Sequence, residues 1–230
     1  MHVDKPYGQA AEAARYAVLR RIGPALRHDL IANLQAVDLM SEVVASRLDR
    51  GLPPLADLQH HLSRIRRGTR EALSNSLRVA TWLVPPEDDC IGLRQGIDEC
   101  VALVRGNLEL RGFSVRVDIR TPELEVSAML LRPLALAALL RLADQAPAPA
   151  ELQVGAHMDA DHATLVLERA SVPPEPLHPL AIEIPYRRLQ DDDIQALALD
   201  RPHDLQLEPH RIQIRLRRLV ATTPLQIAPL

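Results

Sequence analysis

Two proline-poor stretches with heptad spacing constrain the fold of this chain most strongly. Between about Gln9 and Asp49 the only proline is Pro24, and helix-forming residues dominate. A second such stretch runs from about Leu55 to Leu83, after the Gly51–Pro54 break. In both, one set of positions recurs in alternating steps of four and three, which indicates a helix that packs along one narrow face. We call these two sets the heptad seams: Leu30, Leu34, Val37, Ser41, Val44 and Leu48 in the first stretch, and Leu58, Leu62, Ile65, Thr69, Ala72, Ser76, Val79 and Leu83 in the second.

The short connection predicts that the two helices pack antiparallel as a hairpin. A single hairpin with so narrow an apolar face buries too little surface to be stable alone. We therefore expect two copies of the chain to form a homodimer in which the hairpins make a four-helix bundle.

The segment Pro85–Asp89 is rich in proline and acidic residues and marks a boundary. The sequence that follows it predicts a different architecture. Helical and strand-like patterns alternate there, so the fold class is α+β, with a C-terminal α/β sandwich whose helices cover one face of a mixed sheet. The predicted domains are 1–84 and 85–230, with residues 171–190 mostly loop. Predicted helices are Leu93–Arg111, Met129–Asp144 and Asp191–Leu199, and predicted strands are Phe113–Ile119, Glu151–Ala156, Ala163–Glu168 and Arg211–Leu219.

Composition excludes several classes of protein. Aromatic residues are only 2% of the chain, which disfavours nucleic-acid binding by base stacking. The single lysine, Lys5, argues against a lysine-dependent phosphate loop or Schiff base. Cys90 and Cys100 form no CxxC pair and are expected to be inert. No apolar run is long enough to span a membrane and no leader sequence is evident, so we expect a cytoplasmic protein.

The net charge of −3 conceals two halves of opposite sign. Residues 1–84 have a net charge of +4, whereas residues 85–230 have a net charge of −7. A basic half favours an acidic protein partner. The small net charge of the whole chain predicts no general attraction to nucleic acid or membrane.

His28 is the strongest candidate for a chemically reactive residue. It lies two positions before Leu30 of the first heptad seam, about 200° around the helix, so its imidazole should face solvent. A solvated imidazole is largely neutral and nucleophilic near neutral pH. Asp29 follows directly, and a neighbouring carboxylate can orient such a ring and share its proton.

His28-Asp29-Leu30 on the first helix of a hairpin resembles the phosphoacceptor box of two-component histidine kinases and their relatives. The order of the downstream elements is similar as well, and Leu93–Val104 followed by Arg111–Val117 resembles the start of a kinase ATP-binding domain. The resemblance covers roughly residues 10–220. It implies a dimeric hairpin that carries the phosphorylated histidine, followed by a domain of the kinase type.

Two departures from the kinase pattern concern ATP. The helix in which kinases carry a magnesium-binding asparagine has none here, and Asp144 is its one acidic residue. The strand at Ala163–Glu168 should precede an Asp-x-Gly-x-Gly motif, but Glu168–Pro174 contains no glycine. Without glycine the backbone cannot approach phosphates closely, so we expect no ATP site.

This combination is similar to dimeric histidine phosphotransferases with a degenerate ATP-binding domain. The resemblance implies that His28 accepts and passes on a phosphoryl group, and that Asp29 positions the ring. The resemblance also implies that the partner is a response-regulator receiver domain, which would supply the phosphoaspartate and the magnesium, so we expect this chain to need no cofactor or metal of its own. The polar residue that kinases use for phosphatase activity is replaced by Ala32. Candidate contacts with the receiver are Arg27, Asn33, Arg64, Arg66, Arg67 and Arg70.

Alternative functions remain open on the sequence alone. The chain could be a non-catalytic dimeric adaptor in which His28 is incidental, or an atypical active histidine kinase. A DNA-binding regulator fits less well, because no strongly basic domain is evident. The adjacent His60 and His61 do not share a helix face and are not a metal pair. The acidic run Asp191–Asp193 is expected to start a helix.

Overall fold

The chain begins with two long helices and continues as an α/β unit. It is described by a computed structural model covering residues 8–51, 54–83, 90–120, 124–159, 161–170, 186–198 and 204–219. Helix α1 is Gln9–Asp49 and helix α2 is Leu55–Leu83. Two compact units are present: Ile22–Pro86, and Met1–Arg21 together with Glu87–Leu230. The division at residue 84, made from the sequence, stays a prediction about separately folding domains.

The helices α1 and α2 form the predicted antiparallel hairpin. Near its tip, Nη1 of Arg47 lies 3.4 Å from Oδ2 of Asp57. Further along, a Cβ added to Gly68 would lie 2.9 Å from Cγ2 of Val37, so the absence of a side chain at residue 68 lets the helices approach closely. In an antiparallel pair, residues 37 and 68 therefore lie at one level and residues 47 and 57 at another.

The α/β unit contains a five-stranded sheet and a separate two-stranded ladder. The sheet order is β2-β4-β5-β7-β6, in which only the β2–β4 pair is parallel. The antiparallel pair β1–β3 forms the ladder. The helices are α3 (Leu93–Leu110), α4 (Ala128–Asp144) and α5 (Asp191–Leu197), and the strands are β1 (Cys90–Gly92), β2 (Ser114–Asp118), β3 (Glu125–Ser127), β4 (Glu151–Met158), β5 (His162–Arg169), β6 (Leu205–Leu207) and β7 (Arg211–Arg217).

Helix α4 forms the centre of the core. It packs against the helices α3 and α5 and against the strands β5 and β7, as its nearly uninterrupted apolar sequence predicts. Gly96 of α3 permits this packing, since a Cβ there would lie 2.5 Å from Cδ2 of Leu131. Alternate strand residues such as Leu152, Leu165 and Ile214 complete the core. The prediction of helices packed on a mixed sheet is confirmed.

Three short strands differ from the sequence-based description. β1, β3 and β6 were not predicted, because three residues are too few to show an alternating pattern. Helix α4 begins at Ala128, five residues before Pro133. Most of the predicted loop at 171–190 lies outside the described residues.

The prediction that the acidic run Asp191–Asp193 starts a helix is confirmed. Within this run, Asp193 accepts three hydrogen bonds. One carboxylate oxygen accepts a hydrogen bond from the Gln190 backbone N–H at 2.8 Å. Arg187 donates two more, at 2.8 and 2.7 Å. Burial alone would raise the pKa of Asp193, but the bonds from Arg187 and Gln190 outweigh it and lower the pKa below its usual value.

Asp193→Asn is expected to destabilise the protein by about 1 kcal/mol at neutral pH, because the charge that Arg187 and the helix start favour is lost. The folded pKa is lowered, so this stabilisation is present above about pH 4 and disappears as the pH falls through the folded value. Thermal unfolding from pH 7 to pH 3 should show the two proteins converging in acid. The exposed Asp192→Asn is the control, and a gap between Asp193→Asn and wild type that does not narrow between pH 7 and pH 3 would contradict the assignment.

Candidate functional site

His28 is held on the solvent side of α1, in the unit Ile22–Pro86. Its side chain is 83% exposed, as the heptad spacing predicts. Within the described residues the ring makes no hydrogen bond, so both ring nitrogens can be reached from solvent. The helical backbone fixes the Cα–Cβ direction, and a rigidly presented imidazole needs little reorganisation to meet an incoming group.

Asp29 provides a charged neighbour of the ring. Its Oδ1 lies 3.7 Å from Nδ1 of His28, which is an electrostatic contact just beyond hydrogen-bond length. The carboxylate is 49% exposed, so water screens the interaction. A carboxylate beside Nδ1 favours the neutral tautomer with the proton on Nδ1, and this leaves the lone pair of Nε2 facing solvent. That arrangement suits an imidazole nucleophile.

The candidate partner residues lie on the same hairpin but do not form one cluster with His28. Arg27 is exposed and Asn33 is half-buried. The four arginines at 64, 66, 67 and 70 are all exposed on α2. From the hairpin register, Arg70 lies level with residue 35, so the arginines are displaced by about 10–20 Å along the axis from His28. Only a partner the size of a protein domain can contact both His28 and the arginines of α2.

Both heptad seams are incompletely covered within one copy of the chain. Ala72 is buried, whereas Leu34 and Leu62 are each about half exposed. Other large apolar side chains of the hairpin are exposed too. They are Ile31, Leu39, Leu48, Leu55, Leu73 and Leu77. The narrow packing face predicted from the sequence is therefore present, and much of it has no cover among the described residues.

Asp144 takes part in a buried ionic network that sequence reasoning missed. Its carboxylate accepts two hydrogen bonds from the Arg21 guanidinium, at 2.9 and 3.0 Å, and one from the Leu189 backbone N–H at 3.1 Å. Nη1 of Arg111 lies 3.0 Å away as a second cation. The Arg21 and Asp144 side chains are 1% and 0% exposed. This carboxylate, the one acidic group of α4, is thus paired with arginines.

Arg111 shows how strongly this network is removed from water. Burial lowers the pKa of its guanidinium, and the neighbouring Asp144 counteracts that shift. The Arg111 guanidinium also donates to the Ala143 carbonyl at 2.9 Å and lies over the Phe113 ring. No local sequence pattern links Arg21 with Asp144, because 123 residues separate them.

Cysteine chemistry, metal binding and membrane insertion find no support in the described residues. Cys90 and Cys100 are free thiols, and burial raises the pKa of the Cys100 thiol, which makes it a poor nucleophile. In the described part of the chain, no three His, Cys, Asp or Glu side chains are grouped so as to hold a metal ion. Across the same residues, no helix combines the length and apolar character that crossing a bilayer requires.

No family model and no curated protein matches the sequence. Solved structures do align with it, at low similarity. A histidine kinase from Burkholderia phymatum aligns at 13% identity and a TM-score of 0.44, over 94% of this chain and 99% of that one. The histidine kinase ThkA, solved in complex with the response regulator protein TrrA, aligns at 11% identity and 0.41, over 95% and 67%. A bacterial phosphotransferase aligns at 14% and 0.38, over 90% and 96%. These scores assign no function to this chain.

Proposed function

We propose that this chain is a histidine phosphotransferase of a two-component phosphorelay, which passes a phosphoryl group through His28 to or from a receiver domain. The observation that carries the proposal is the solvent-facing imidazole of His28, held on a rigid helix with the Asp29 carboxylate 3.7 Å from Nδ1. A buried ring would instead have favoured the adaptor function, because no partner could reach it.

The proposed transfer uses Nε2 of His28 as the nucleophile. Its lone pair forms the N–P bond while the P–O bond of the receiver's aspartyl phosphate breaks, and the electron pair leaves with the receiver's carboxylate. The ring gains positive charge and keeps its proton on Nδ1, where Asp29 stabilises it. The receiver supplies the magnesium, so this chain contributes position and charge.

The test is to incubate the protein with a receiver domain whose aspartate carries labelled phosphate. We expect label to move to this chain in a form that is labile in acid and stable in alkali, as a phosphoramidate is. Absence of transfer from every receiver of the source genome would contradict the proposal and favour the adaptor. The exposed arginines of α2 and Arg27, in the basic half of the chain, are proposed to contact the acidic receiver surface.

We further propose that the α/β unit does not bind ATP. This rests on two features: no glycine occurs between Glu168 and Pro174, and the Asp144 carboxylate is already paired with Arg21 and Arg111. Isothermal titration with ATP and magnesium is expected to give no heat of binding. Micromolar affinity would contradict the proposal and identify an atypical kinase instead.

The homodimer is proposed from the uncovered apolar surface of the hairpin. Leu62→Glu is expected to weaken dimerisation at least about a hundredfold, because a two-fold interface loses two buried leucines worth about 1.5–3 kcal/mol each. Sedimentation velocity over a range of concentrations measures the change. Gln59→Glu, an exposed change of the same charge, should leave the dimer intact. A wild-type chain that stays monomeric at about 100 μM would refute the four-helix bundle.

A further inference from the structure

A cleft of about 300 Å³ lies in the α/β unit, and it contains none of the residues of the proposed phosphotransfer site. Its walls come from the first turns of α1 and from the residues just before α5. They consist of alanine, tyrosine and arginine side chains: Ala13, Tyr16, Ala17, Arg20, Tyr186 and Arg187. The volume is at the lower end of the range for ligand pockets.

Arg20 lies between two of the few aromatic rings of the chain. Its guanidinium carbon is 5.9 Å from the centre of the Tyr16 ring and 5.2 Å from that of Tyr186. Contact with aromatic faces holds a guanidinium plane while its N–H groups point outward along the edge. The two tyrosines therefore prepare Arg20 to bind a planar anionic group with two parallel hydrogen bonds.

Among the described residues, the charge of the cleft is unbalanced at Arg20. The other cation, Arg187, is neutralised by its two hydrogen bonds to Asp193. Arg20 is exposed and forms no ion pair with any described residue, and no described residue of the lining has an acidic side chain. Within this part of the chain, one positive charge therefore lies beside apolar walls.

The exposure of Tyr16 points to a peptide rather than a small anion. Its side of the cleft is open, and the residue is 62% exposed. An inorganic anion would pair with Arg20 but leave this ring and the two alanines uncovered. A peptide that carries an apolar side chain next to a carboxylate satisfies both.

We propose that this cleft is a docking site for an acidic peptide segment of a partner protein, in which an aspartate or glutamate pairs with Arg20 and an adjacent aliphatic side chain packs on Tyr16 and Ala13. The site uses none of the residues of the proposed phosphotransfer, so either proposal can fail without the other.

The test is isothermal titration of the full chain with a peptide of sequence Leu-Glu-Leu-Glu-Leu, blocked at both ends to remove terminal charges. We expect measurable binding at millimolar peptide and at least about tenfold weaker binding by Arg20→Gln, since hydrogen bonds between charged groups contribute about 1.5–3 kcal/mol. Tyr16→Ala should weaken binding about threefold through the lost ring contact. Arg105→Gln is the matched control, because Arg105 is an exposed arginine of α3 paired with Glu109.

Three outcomes would overturn the proposal. The glutamine analogue of the peptide could bind as tightly, which would remove the role of charge. Arg105→Gln could weaken binding as much as Arg20→Gln, which would indicate attraction to any exposed arginine. Citrate could bind as tightly as the peptide and depend equally on Arg20, which would identify a site for small anions.

Discussion

His28→Gln is expected to reduce phosphoryl transfer from a phosphorylated receiver by at least about a thousandfold, because an amide nitrogen is not a nucleophile. Glutamine keeps a polar side chain of similar length on an exposed helical position, so the fold and the dimer should not change. Transfer is measured as acid-labile label on the chain at a fixed receiver concentration. Circular dichroism and sedimentation of the variant check that structure and assembly are retained.

Two further variants define the role of the site. His60→Gln removes another exposed histidine of the same hairpin and should leave the transfer rate unchanged. Asp29→Asn should slow transfer only about fivefold, because a charge 3.7 Å from the ring interacts by roughly 1 kcal/mol through water. Full transfer by His28→Gln would refute the proposed function, and equal losses in His28→Gln and His60→Gln would point to general disruption of the hairpin.

The second large effect is expected for Asp144→Ala, which should destabilise the α/β unit by about 3–5 kcal/mol. The substitution leaves the Arg21 guanidinium, 1% exposed, without its counter-charge, and breaking a buried pair by removing one partner costs about this much. Arg111 loses its acidic neighbour at the same time. Urea unfolding, followed by a signal from the sheet, measures the change.

A matched surface pair provides the comparison. Asp98 lies 3.7 Å from Arg94, and both side chains are more than half exposed, so Asp98→Ala should cost less than about 1 kcal/mol. The double variant Arg21→Met with Asp144→Leu should recover part of the stability lost in Asp144→Ala, because it removes the unpaired charge of Arg21 and restores apolar packing, although Arg111 still lacks its acidic neighbour. Equal effects of Asp98→Ala and Asp144→Ala would contradict the importance of burial.

Periodicity was sufficient to predict the long elements of the fold. Helices α1 and α2 begin and end where the two proline-poor stretches do, and the exposure of His28 follows from its angular distance from Leu30. The continuous apolar run of α4 also predicted its central burial. These features depend on residues that are close to one another along the chain. Patterns of that kind can be recognised directly in the sequence.

Contacts between distant parts of the chain were not predictable in the same way. Neither the ion pair of Arg21 with Asp144 nor the pairing of β1 with β3 produces a periodic pattern in the sequence. Each depends on where the fold of the whole chain places two short segments. The cleft around Arg20 is of the same kind, since Tyr16 and Tyr186 are far apart in sequence. Charge patterns along α1 gave no reason to single out Arg20 or Arg21 from the other arginines.

The 123-residue separation between Arg21 and Asp144 also has a consequence for how the chain is made. At about 5–20 residues per second, a ribosome needs roughly 6–25 s to reach Asp144 after it has added Arg21. During that time the local contacts of the hairpin can begin to form. Arg21, in contrast, still lacks its counter-ion Asp144. Nascent chains that end before residue 144 therefore keep Arg21 in water, and the α/β unit can close only after α4 has been synthesised to its last residue.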